Sequence, residues 1–347
     1  MLTRTEQDDI MCQCDITVFE EVFPFESDYN PYDGEIVGKI IRCRGQLEKE
    51  LFFDKLLGLL NIARDLYPPT SIEGLRNLHG KIVASNAAEH HKQSLIFYLL
   101  QDCLEYPQVA AEFADNCLMP ANFVIYMKGL WLMDQIQFGR ALEYLSHPSL
   151  GTPTFADEIL FHLVRRDKSD FTVPLAYYHT VNPPLTNRNA LDAFFDCLCW
   201  VSTSEAFFFS RTQPETIRRY LFEQLIKFVL SGMPATHLLR RKELAEDERA
   251  NKAIELINLP LTEDENQWFE DYLTEDNDST LRNAKDTLLM RRIGTGKFRE
   301  ALKDKDGLSH SKLGGINWEA LWPGIEKGLG PRNALEDILP VGSSEKS

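Results

Sequence analysis

Apolar residues recur at spacings of three and four along the chain between Phe113 and Ser231, and Pro, Gly and Thr mark the breaks. That period matches one face of an α-helix, so the stretch predicts helix after helix. Upstream, Leu47, Leu51, Phe52, Leu56, Leu59, Ala63 and Leu66 form a further helical stripe, stopped by Pro68-Pro69. Helices are expected at roughly 89–105, 107–117, 121–134, 137–146, 155–166, 187–200, 203–210 and 214–230, then near 236–257, 264–273 and 280–291. The 214–230 segment is the clearest. Ile217, Tyr220, Leu221, Leu225, Phe228 and Val229 share one face, and Gly232 and Pro234 end it. Four hydroxyl–carboxylate pairs have capping-box spacing: Thr70/Glu73, Ser202/Glu205, Thr212/Glu215 and Thr262/Glu265. In such a box each side chain satisfies an orphan amide at the start of a helix.

No alternating strand segment and no Asn-Gly hairpin signal interrupts this pattern. The predicted fold is all-α: an irregular α-solenoid of stacked helical pairs with a flexible C-terminal tail. Trp131 precedes Ala141-Leu142 and Leu145, and Trp200 precedes Ala206-Phe207 and Phe209, at unequal spacings that exclude a regular 34-residue array. The expected organisation is an irregular, aromatic-rich segment over 1–45, a helical domain over 46–292 and a Gly-rich tail over 293–347. One helix is anticipated within the first segment, at Ile36, Val37, Ile40 and Ile41.

Composition narrows the function classes. The 347 residues are 44% hydrophobic, ample for a large core, and carry a net charge of −16. An acidic chain is repelled by nucleic acid and anionic lipid, so direct DNA binding is not expected. The longest apolar run, near Leu95 to Leu100, is far too short to insert into a membrane. The N-terminus carries Glu6, Asp8 and Asp9 in place of a basic, then apolar, leader, so no secretory signal is expected. Seven cysteines in no framework spacing suit reduced, buried thiols, with Cys103, Cys117, Cys197 and Cys199 in apolar helical stretches.

Candidate chemistry is sparse. Gly294–Lys297 (GTGK) departs from a phosphate loop: one residue separates the glycines, Phe298 follows the lysine, and no strand precedes it. Glu89-His90-His91 are adjacent, and adjacent helical side chains diverge by about 100°, so a solvated face fits better than a metal site. Cys12-x-Cys14 and Cys197-x-Cys199 lack second pairs. Arg291, Arg292, Lys297, Arg299, Lys303 and Lys305 form a basic patch diluted by Glu300, Asp304 and Asp306. A solvated face and a nuclear-import signal both fit it. Asp157-Glu158 open a predicted helix, where the dipole favours them. Neither an enzyme, a cofactor, a metal nor a small-molecule substrate is expected. Binding chemistry is expected in the tail, where Ile316, Trp318, Leu321 and Trp322 lie in GGINWEALWPG. Tryptophan is favoured as an interface anchor, and the last three would share one face of a helical turn ended by Pro323. Docking on a partner and folding back onto the chain's own helices both bury this surface.

Three ordered segments carry a resemblance: FADNCLMPANFVIYMKGLWLMDQIQFGRALEYLSHPSL (113–150), PLAYYHTVNPPLT (174–186) and STSEAFFFSR (202–211). Together they resemble the ELYS domain of nuclear pore complex assembly factors, over roughly 90–235. Gly129-Leu130-Trp131, Asp134, Ala141-Leu142, His147-Pro148 and Pro183-Pro184-Leu185 carry most of it. The resemblance implies an α-helical domain attached to the Y-shaped outer-ring complex at the nuclear envelope. The implied partners are other Y-complex nucleoporins, namely the short-arm scaffold nucleoporin and its small β-propeller companion. No propeller-length strand region and no Arg-Gly-Arg-Pro minor-groove hook is present, so the chain resembles the short fungal form. From the residues alone, a helical adaptor of another assembly, proteasome- or coat-like, shares the same features.

Overall fold

The computed structural model describes residues 14–25, 29–166, 171–232, 244–275, 281, 283–297 and 300–301, with backbone alone at 312–313 and 316–317. It divides into two units, Met1–Leu191 and Asp192–Ser347.

The first unit contains α1 (Phe19–Val22), α2 (Gly34–Gln46), α3 (Phe52–Leu59), α4 (Ile72–Ala84), α5 (Glu89–Gln101), α6 (Pro107–Asn116), α7 (Ala121–Asp134), α8 (Phe138–Leu145), α9 (Ala156–Arg166) and α10 (Thr172–Val181). Its centre is α5, where every residue from Gln93 to Leu100 is buried. A helix that is apolar all round must be enclosed on all sides, and α4, α6 and α7 pack against it. Each fully buried Leu, Ile or Phe contributes about 1.5–3 kcal/mol of transfer free energy, so this run is a concentrated source of stability for the unit. α7 in turn packs on α3 and α8. The α7–α8 contact requires Gly129: a Cβ there would stand 2.6 Å from the Leu145 side chain. The N-terminal segment belongs to this core. Ile16, Phe19, Val22, Phe23 and Tyr32 are buried, and Phe19 and Phe23 pack edge-on against His79.

The boundary between units falls inside α11 (Arg188–Val201). The second unit continues with α12 (Thr203–Arg211), α13 (Glu215–Ser231), α14 (Glu246–Ile257), α15 (Glu263–Glu275) and α16 (Ala284–Gly294). α13 is its axis. Leu221, Phe222, Leu225, Ile226, Phe228, Val229 and Leu230 are buried, and α12, α14 and α15 pack on it. Gly232 ends α13 in the left-handed region (φ 73), its N–H bonded to the Phe228 carbonyl. In both units successive helices stack on one another, as an irregular α-solenoid requires.

The all-α expectation holds apart from a two-residue antiparallel pair, β1 (Lys312–Leu313) and β2 (Ile316–Asn317), in register Lys312↔Asn317 and Leu313↔Ile316. The predicted flexibility of the remaining tail falls outside the described residues. Of the predicted capping boxes, Thr262/Glu265 forms reciprocally and Ser202 accepts from the Glu205 N–H. The first box shifts by one, since Ser71 accepts from Gly74 N–H, and the third is not made, since Pro214 is the N-cap of α13. α10 was not predicted. The 47–66 stripe shortens to α3, because Glu48 and Lys49 adopt positive φ and break the helix ahead of Leu51.

Candidate functional site

Four buried carboxylates set the frame of the first unit, each consumed by structural donors. Asp102 closes α5. Its Oδ2 accepts from the Tyr32 and Tyr67 hydroxyls at 2.9 and 2.8 Å, and its Oδ1 from Trp131 Nε1 at 2.8 Å. Asp134 closes α7 and caps the start of α3. It accepts from Phe52 N–H at 2.8 Å, Phe53 N–H at 3.0 Å and the Tyr98 hydroxyl at 2.7 Å. Asp54 takes a two-pronged bond from Arg44, which also donates to the Tyr67 carbonyl. Asp157, at the start of α9, holds the loop after Pro183-Pro184 by accepting from Leu185 N–H, Thr186 Oγ1 and Asn187 N–H. The first-turn position of Asp157 was legible in the sequence; its grip on a loop 28 residues away was not.

Burial pushes Asp102 up to about 6 and Asp134 up to about 7, against the hydrogen bonds that favour their charged forms. The same burial raises Tyr32, Tyr67 and Tyr98. Perturbed carboxylates are often catalytic. Here both oxygens of each acid are occupied by buried donors, so neither faces a space where a substrate would sit. They are bracing groups.

The other sequence candidates resolve in the same direction. His90 and His91 pack on each other and on Phe123, and among the described residues no group of three or more His, Cys, Asp or Glu is arranged to hold a metal. Cys14, Cys103, Cys117, Cys197 and Cys199 are buried; Cys12 lies outside the described residues. Gly294 is the last residue of α16, and Lys297 just beyond it bonds through Nζ to Glu270. The basic patch is engaged by the chain's own acceptors where it is described. Arg291 is buried against the carbonyls of Ile257 and Leu259 and the Asn266 side chain, while Arg292 and Lys297 pair with Glu270. Arg299, Lys303 and Lys305 lie outside the described residues, as do Trp318, Leu321 and Trp322. Ile316 stands on β2, paired with Leu313.

What the first unit does present is a largely apolar groove of about 630 Å³, lined by α3, α5 and α7 together with 85–87 and Thr154-Phe155. Leu56, Leu59, Leu95, Phe123 and Met127 line it. Sequence periodicity placed Leu59 on a core stripe; in the structure it is 64% exposed on the rim. No signal in the sequence separates such a residue from its buried neighbours, because both occupy the same helical face.

A family model described as ELYS, nuclear pore complex assembly, matches residues 50–276. An uncharacterised Schizosaccharomyces pombe protein, ely5, is 24% identical over 303 residues, covering 86% of this chain and 93% of its own length. The positions through which the sequence resembles that family fall on the frame just described. Gly129 admits α8, Trp131 and Asp134 hold α5 and α3, and Leu185 is held by Asp157.

Proposed function

From the premise that this chain belongs to the ELYS nuclear pore complex assembly family, we propose that it is a structural nucleoporin of the outer ring, a helical scaffold bound to other Y-complex nucleoporins at the nuclear envelope. The observation that carries this reading is the match over 50–276, well over half of the chain. Stacked helices offer extended surfaces for docking, which is what an assembly factor needs. No helix among the described residues is long and apolar enough to cross a membrane, so attachment at the envelope would come from protein partners. In this reading the protein supports pore assembly and, through it, transport of protein and mRNA.

The test is direct. The tagged chain should give a nuclear rim in cells, and purified chain should bind a reconstituted outer-ring subcomplex containing the short-arm scaffold nucleoporin and its β-propeller companion. Diffuse cytosolic or vesicular signal with no binding would overturn the reading. The tail is assigned a second contact through Ile316, Trp318, Leu321 and Trp322, linked to the helical body and so strengthened by effective concentration. Trp318→Ala with Trp322→Ala should lower affinity for that subcomplex about tenfold or more while leaving the melting temperature unchanged. Lost stability with unchanged binding would mean that the tail folds on its own chain.

A further inference from the structure

We propose that the groove between α3, α5 and α7 is a docking site for an α-helix of a second protein, one that presents an uncharged face of aliphatic and aromatic side chains; the partner class rests on the nucleoporin reading above. Three features of the groove select that occupant. First, none of its fifteen lining residues is Asp, Glu, Lys or Arg, where the 26% charged composition of the chain predicts about four. Depletion of charge is the compositional mark of an interface core. Second, both of its lining serines are already engaged: Ser94 Oγ donates to the His90 carbonyl and Ser85 Oγ to the Ile82 carbonyl. Leu56, Leu59, Leu95, Phe123 and Met127 offer an occupant apolar contact. Third, its walls are helices whose backbone groups are spent on their own ladders. An extended peptide laid there would leave its own N–H and C=O groups unpaired, whereas a helix satisfies them internally and contributes only side chains. That is the helix-in-groove mode, with anchors repeating every three or four residues. A second copy of this chain is disfavoured as the occupant, because two bodies of net charge −16 repel.

Leu59 is the handle for the test. Its exposure means that Leu59→Glu leaves the core intact while placing a charge on the rim. Ile41→Glu, 54% exposed on α2 and outside the groove, is the control. Full-length wild type and both variants are titrated against the reconstituted outer-ring subcomplex. A photo-crosslinking residue at position 59 is then mapped by mass spectrometry. The expected result is about a tenfold or larger loss for Leu59→Glu, near-wild-type affinity for Ile41→Glu, and a crosslink to an uncharged helix face of the subcomplex. Normal wild-type binding that Leu59→Glu does not weaken overturns this inference alone, as does a crosslink from position 59 back to this chain. Failure of the wild type to bind overturns the nucleoporin reading and this inference together.

Discussion

Asp134 in the first unit and Glu265 in the second do the same architectural work by opposite electrostatics. Each is a buried carboxylate that satisfies amides at the start of a helix and ties together segments far apart in sequence. Asp134 is surrounded by neutral donors, two backbone N–H groups and a tyrosine. Glu265 is gripped by Arg211 and Arg218 as well as by the Thr262 N–H. Burial raises both, yet the outcome differs: Asp134 rises to about 7, while the arginines and the amide hold Glu265 down at about 2. Neutral donors orient a buried anion without balancing its lost hydration, whereas cations do both. Asp134 is therefore a brace held by neutral donors alone, and Glu265 a brace held by two cations.

The severest way to break this comparison is to delete each brace. Asp134→Ala strands two amides and the Tyr98 hydroxyl inside the core, and should cost the first unit about 3–5 kcal/mol, summing about 1–3 for each stranded donor less relaxation. Urea denaturation followed by hydrogen exchange at Phe52 and Phe53 would show it; a loss under about 1 kcal/mol would mean that water enters and the brace is dispensable. Glu265→Ala should cost the second unit less, about 2 kcal/mol, because both arginines are about a quarter exposed and recover hydration. Equal losses in the two units would erase the distinction between neutral and cationic bracing.

Titration sharpens the comparison at smaller cost. The folded Asp102 and Asp134 hold protons that the unfolded chain has released above about pH 4, so their contribution is full at low pH and is lost as pH rises through about 6 and 7. His162 acts oppositely. Burial lowers it to about 4, so it destabilises the first unit as pH falls from 6.5 towards 4. Lowering pH from 8 to 6.5 should therefore stabilise the first unit by roughly half a kcal/mol, seen as greater protection of the Phe52 and Phe53 amides after correction for intrinsic exchange. The Glu265 contribution stays constant over that window and falls only as pH drops below 4.5 towards 2. Protection at Phe52 that is flat between pH 8 and 6.5 would refute the assignment.

The sequence carried the helices well and the braces poorly, for a physical reason. Helical periodicity and caps are local, so α5 to α9 and α11 to α13 fall close to their predicted positions, and Thr262/Glu265 forms as its spacing implies. α10 was passed over because Pro174 stands at its third residue, where proline is tolerated in a first turn but reads as a break. Asp134 drew notice only through the family resemblance, since its partners lie 81 and 82 positions upstream. The basic patch read as a surface because Glu270 and the carbonyls that absorb Arg291 and Arg292 come from preceding segments of the chain. The groove was hidden likewise, its lining being drawn from five separate stretches between Leu56 and Phe155.

The long reach of Asp134 also sets a clock on biosynthesis. The Phe52 amide emerges from the ribosome 82 residues ahead of the acid that will hold it. At about 5–20 residues per second, the opening turn of α3 waits some 4–16 s for its missing half. During that interval the nascent chain carries Phe52 and Phe53 without their final neighbours, and it is then, more than in the finished protein, that a chaperone would find something to hold.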